Sequence, residues 1–218
     1  MRRFARAASH HWRRKLFASS LILFFAVSSA AAQTSTQISV QNSVPNEDRP
    51  EYGGHEIEVW SGGGHSVPGG TKDTGVWNLG VRYGWILTAP HGPGPLKGRF
   101  ELAVDAVPAF VVFQRRNTAY GWGLNPVGFK WILATRGHVA PFMFLDGGTL
   151  FTTHNVPYGT STVNFTTSGG IGTYFLGDRA WSVDVRFLHI SNAGLTVPNP
   201  GVNTVQVRLG FGKFFSKK

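Results

Sequence analysis

From residue 53 to its end the chain alternates apolar with polar or small residues, with frequent glycine and aromatics and sparse charge. No stretch of ten or more residues keeps a helical period. Alternation with period two marks strands whose two faces meet different surroundings. It predicts eight strands, at about 54–61, 75–88, 99–113, 119–134, 138–152, 161–177, 180–192 and 202–215. In the second, Trp77, Leu79, Val81, Tyr83 and Trp85 share a face against Asn78, Gly80, Arg82 and Gly84. In the third, Phe100, Leu102, Val104, Ala106 and Phe110 alternate with Glu101, Ala103, Asp105 and Ala109. In the seventh, Trp181, Val183, Val185 and Phe187 form one face, which His189 and Ser191 continue. Ser182, Asp184 and Arg186 take the other. In the eighth, Asn203 is in phase with Val205, Val207, Leu209 and Phe211, while Gln206 and Arg208 face away.

The lengths and faces change what these strands imply. A tilted strand needs about 9–11 residues to cross a bilayer. Several of the eight reach that, with Trp and Tyr near their ends as interface girdles require. The expected fold is therefore all-β, an eight-stranded antiparallel transmembrane β-barrel of the outer-membrane type. An even strand count closes without an exposed edge. Eight strands leave an interior that side chains fill, so no channel is expected. A soluble sandwich explains the alternation, but less well the many wide apolar faces. Pro108, Pro126 and Pro141 fall inside predicted strands, where each removes a ladder donor, and are read as bulges or strand ends.

The first 32 residues have a different texture. Arg2, Arg3, Arg6, Arg13, Arg14 and Lys15 precede an apolar run from Leu16 to Val27, and Ala30 and Ala32 occupy the positions of an A-x-A cleavage site. This predicts a secretory signal at 1–32. The apolar run is shorter than the roughly 20 residues of a spanning helix. Residues 33–52, rich in Gln, Ser, Thr and Asn, read as a disordered leader, and 53–218 as the barrel. The formal charge of +10 comes from 21 basic and 11 acidic residues; without the six basic residues of the signal, 15 face 11, or +4. A nucleic-acid partner is thus not indicated, and no Gly-rich phosphate loop or basic aromatic run appears. With no cysteine, disulfides, zinc ribbons and thiol catalysis are excluded. The eight histidines are scattered, so no metal or other cofactor is implied.

Candidate chemistry lies at the last hairpin. A turn centred near Thr196 places His189 opposite Asn203, at a Cβ separation of about 4.5–5.5 Å. Ser191 follows His189 on the same face. A serine, a histidine and a third polar group suit an activated nucleophile. The same three also suit a hydrogen-bonded turn, and spacing alone leaves both open.

The stretch His189-Ile-Ser191-Asn192-Ala193-Gly194, followed by Pro198-Asn199 and Gly201-Val-Asn203, resembles the C-terminal motif of the outer-membrane lipid A 3-O-deacylases, the PagL family. The resemblance implies an eight-stranded outer-membrane barrel that hydrolyses the 3-O-linked acyl chain of lipid A. It implies His189 as general base and Ser191 as nucleophile. Asn199 and the Gly194 amide would form the oxyanion hole, and Asn192 would support the turn. The family has a glutamate where this chain has Asn203. Glu101, Asp105 and Asp184 cannot replace it if the phasing holds, since all three point inward. The implied partners are lipopolysaccharide and the outer membrane, with a homodimer left open. With both termini periplasmic, the site would stand at the outer rim facing lipid. Arg115 and Arg116 in the third connection would then meet either lipid A phosphates or solvent. The alternative is a structural or lipid-binding barrel without catalysis.

Overall fold

A computed structural model describes residues 49–216. The predicted signal and most of the leader lie outside the described residues. Eight antiparallel strands close into a barrel in which each pairs with its sequence neighbours and β1 closes on β8. The strands are β1 (His55–Ser66), β2 (Gly75–Ile86), β3 (Gly98–Phe113), β4 (Thr118–Leu133), β5 (Val139–Thr152), β6 (Val163–Leu176), β7 (Ala180–Ser191) and β8 (Val202–Phe215).

Seven of the eight expected strands hold to within about two residues at both ends. β1 runs five residues further than alternation indicates, because Gly62-Gly63-Gly64 has no side chains to alternate. Its backbone nevertheless continues to pair with β2 and β8 as far as His65. The ordered barrel also begins before residue 53. Pro50 is buried, and the Glu51 carboxylate accepts the Ser216 hydroxyl at 3.0 Å.

Two of the prolines mark irregularities. The β3–β4 register shifts between Val107 and Phe110, around Pro108, and the β4–β5 register shifts between Leu124 and Val127, around Pro126. Pro141 stands one residue beyond the end of the β4–β5 ladder, where its missing N–H costs nothing. The shift at Pro108 corrects one assignment. Phe110 was expected on the lipid face with Phe100 and Leu102, but the extra residue reverses the phase, and Phe110 is buried in the interior.

The interior is filled in three tiers. At the end where β1 and β2 connect, Val76, Val112, Leu150, Ile190 and Val202 form an apolar tier. At the opposite end Ile86, Ile132, Phe142, Leu176 and Phe214 form another. Between them lies a charged layer. Arg82 holds Asp105 through two bonds of 2.9 and 2.8 Å, Arg208 holds Asp184 at 2.6 Å, and Lys130 holds Glu56 at 2.8 Å. Asp105 also accepts the Trp60 indole N–H. Glu101, Asp105 and Asp184 do point inward, as the phasing requires.

The outer surface is the reverse. Leu145, Ile171, Val185, Val207 and Leu209 stand exposed around the waist. Aromatics ring both ends, with Trp77, Phe113, Tyr120 and Trp122 at one and Tyr83, Trp85, Phe175 and Trp181 at the other. An apolar waist between aromatic rings is the surface that a bilayer selects. Connections 67–74, 114–117, 153–162 and 192–201 share one end of the barrel. Connections 87–97, 134–138 and 177–179 share the other with the start of β1 and the end of β8. The long 87–97 connection is folded on itself. It has a 3-10 turn at Gly94–Leu96, a bridge between His91 and Gly98, and His91 set edge-on against Trp131.

Candidate active site

The hairpin of β7 and β8 pairs His189 directly with Asn203. Both side chains point away from the barrel interior, and the His189 Nδ1 lies 2.6 Å from Asn203 Oδ1. An amide oxygen only accepts, so this bond puts the ring proton on Nδ1 and leaves Nε2 with its lone pair. Ser191 is two residues further along β7 on the same face, half-buried. Its hydroxyl makes no hydrogen bond to the ring in this conformation. Across the other edge of β7, β6 sets Thr167 beside His189 and Phe165 beside Ser191.

Residues 192–201 are organised by Asn192, which is fully buried. Its main-chain N–H donates to Asn199 Oδ1 at 3.2 Å. Its side-chain amide donates to the Thr196 hydroxyl at 2.7 Å and to the Thr196 carbonyl at 3.2 Å. Its Oδ1 accepts the Gly194 N–H at 2.9 Å, an Asx turn. Asn192 thus ties down the loop. Asn199 is oriented through its oxygen, which leaves its NH₂ as a donor. The Gly194 N–H is engaged by Asn192, so it would act as an oxyanion donor only by exchanging that bond. Ala193 and Gly194 both take positive φ, 51° and 82°. A non-glycine residue in that region is uncommon and clusters at functional loops.

Gly201 closes the loop, with φ 66°. A Cβ there would stand 2.9 Å from His189 Cε1, so only glycine lets the ring lie where it does. One part of the site escaped sequence reasoning, the β1–β2 connection. Val67 N–H donates to the Asn203 carbonyl at 2.8 Å, and the Thr71 N–H to the Gly201 carbonyl at 2.9 Å. The Thr71 hydroxyl donates to that same carbonyl at 2.9 Å. In sequence, Val67-Pro-Gly-Gly reads as an ordinary turn. Among the described residues, no group of three His, Asp or Glu side chains is placed to hold a metal.

A closed eight-stranded barrel with an apolar waist between aromatic rings defines an outer-membrane barrel, here with serine, histidine and amide side chains together on the outward face near one end. The profile of the lipid A 3-O-deacylase (PagL) family matches residues 77–212, and the chain belongs to that family. The matched region contains β7, β8 and the loop between them. Among solved structures, the outer membrane enzyme PagL superposes with a TM-score of 0.55 at 22% identity, over 70% of this chain and 97% of that one. The outer membrane protein OprG from Pseudomonas aeruginosa gives a TM-score of 0.48 at 12% identity, over 77% of this chain and 98% of that one. No curated protein matches the chain.

Proposed function

We propose that this barrel is an outer-membrane serine esterase that removes the 3-O-linked acyl chain of lipid A. The observation that carries the reading is the His189–Asn203 bond of 2.6 Å, inside the family-matched region, with Ser191 next along the same face. In this mechanism His189 Nε2 accepts the Ser191 proton as Ser191 Oγ attacks the ester carbonyl. The Asn199 NH₂ donates to the developing oxyanion; one such donor contributes about 100–1000-fold. His189 returns the proton to the departing sugar oxygen, which leaves as a free 3-hydroxyl. Water, deprotonated by His189, then cleaves the Ser191 ester and releases the fatty acid. Residues 1–32 are read as the signal that takes the chain across the inner membrane. The rim that carries the site faces outward, where the outer leaflet presents acyl chains to the barrel wall.

One observation favours a second reading. The group on His189 is a neutral amide, which cannot balance an imidazolium, and this suits a lipid-binding barrel that keeps the turn chemistry without turnover. Mass spectrometry of lipid A from cells producing wild type, Ser191→Ala or His189→Ala decides between them. Wild type should convert lipid A to a species lacking one acyl chain, and both variants should leave it intact. The double variant should be no worse than either, because members of one catalytic unit are non-additive. Undiminished conversion by Ser191→Ala would remove serine catalysis.

A further inference from the structure

Asn203 shares the phase of lipid-facing Val205, Val207 and Leu209, which are 43%, 52% and 62% exposed, yet it is only 9% exposed itself. The cover is the β1–β2 connection, residues 67–74, which precedes the family-matched region. Val67 fastens that connection to the carbonyl of Asn203 itself, and Thr71 fastens it to the carbonyl of Gly201 just before β8. Between them lies Gly69, with φ 103°, close over the Asn203 side chain. A Cβ on Gly69 would stand 2.9 Å from Asn203 Nδ2.

Which end of the Asn203 amide meets the ring decides the chemistry of His189. With Oδ1 on Nδ1, the ring proton stays on Nδ1, and Nε2 is a base. With the amide reversed, its NH₂ would donate to Nδ1, the ring proton would move to Nε2, and no base would remain for Ser191. A carboxylate has two equivalent oxygens and needs no such control. An amide does. Resting on the serine-esterase reading above, we infer that the β1–β2 connection is a positioning element. It seats the Asn203 side chain against His189 Nδ1, and Gly69 is the residue whose missing side chain leaves room for the amide there. The connection also keeps water and lipid from the His189–Asn203 bond, which strengthens it.

The test uses full-length protein with ¹⁵N-labelled histidine, refolded in detergent, with the His189 resonances assigned through His189→Gln. Wild type should show His189 protonated on Nδ1. Gly69→Ala pushes the amide away from Nδ1 and Thr71→Val removes one tie, so both should weaken the Nδ1 bond and shift the ring proton towards Nε2 while heat-modifiable gel mobility stays intact. Lys72→Ala, in the same connection but away from Asn203, should change nothing. Deacylation turnover should fall about 100-fold in Gly69→Ala, the scale of an ångström-sized misplacement, with KM little changed. In an Asn203→Ala background Gly69→Ala should cost nothing more, because its effect passes through Asn203. A wild type without deacylase activity whose His189 tautomer still responds to Gly69 and Thr71 supports the positioning role and sinks the esterase reading. Folded Gly69→Ala and Thr71→Val that both retain the wild-type tautomer overturn the positioning role, whatever the activity.

Discussion

At the scale of single residues, Asn203 sets what the site can do. In a serine-protease triad, exchanging the third carboxylate for an amide costs about 10⁴-fold in turnover. There the amide keeps the geometry but leaves the ring in the wrong tautomer; here Oδ1 on Nδ1 keeps the productive tautomer, and the charge that stabilises the imidazolium is what is missing. The present bond of 2.6 Å shows that an asparagine-length side chain already reaches Nδ1. Charge is therefore what the position lacks. Asn203→Asp supplies it without added length, whereas Asn203→Glu must fit an extra methylene beneath Gly69. Turnover in matched detergent should rise at least about tenfold in Asn203→Asp, rise less in Asn203→Glu, and fall in Asn203→Ala. A buried carboxylate beside a neutral ring costs stability, by about 1–3 kcal/mol. If Asn203→Ala matches wild type and neither acidic variant gains, Asn203 is not the third member and the site reduces to a Ser-His pair.

At the scale of elements, the β7–β8 hairpin and the β1–β2 connection show what could be read from sequence. The hairpin was legible because its register follows from two in-phase strands around one centre at Thr196, and His189 does face Asn203. The inward direction of Asp184 and Arg208 followed from the same period. Phe110 was misplaced because one extra residue at Pro108 reverses the phase, and periodicity does not show where a ladder slips. The β1–β2 connection was illegible for a different reason. Its bonds to Gly201 and Asn203 span 130 and 136 residues of chain and end on backbone carbonyls, which leave no mark on the side-chain pattern. Inside the hairpin loop, Asn192 carries the organisation. Asn192→Ala removes the acceptor for Gly194 and both donors to Thr196. Residues 193–200 should become susceptible to limited proteolysis and turnover should fall about 10–100-fold through loss of Asn199 orientation. The barrel should keep its heat-modifiable mobility, because the loop lies outside the ladders. Unchanged proteolysis with full turnover would show that Asn192 does not order the loop.

At the scale of the whole molecule, the barrel places charge inside and apolar surface outside, with the site on the outer wall near one rim. Stability and chemistry should then separate. The ionic layer is the sensitive part of the core, because an unpartnered buried charge costs more than an apolar replacement of both partners. Asp184 is the informative position. It accepts Arg208 Nε at 2.6 Å and Arg186 Nε at 3.2 Å. Arg186 has Asp146 as a second partner at 3.5 Å, whereas neither terminal nitrogen of Arg208 has a hydrogen bond. The remaining contacts of Arg208 include the faces of Trp60 and Phe144, with centroids 4.9 and 5.5 Å away. Those rings attract a cation by about 1–2 kcal/mol, less than a buried charge needs. Asp184→Ala should therefore destabilise the barrel by about 3–5 kcal/mol. The readout is the urea midpoint of the folded band on unheated gels. Adding Arg208→Met should return most of the loss, because both charges then leave together and the rings keep an apolar neighbour. Asp184 lies on the inward face of β7 and His189 on the outward face, so the folded fraction of either variant should deacylate at close to the wild-type rate. Failure of Arg208→Met to restore the midpoint would mean that Asp184 stabilises the barrel through Arg186, and the dependence would move to the Arg186–Asp146 pair.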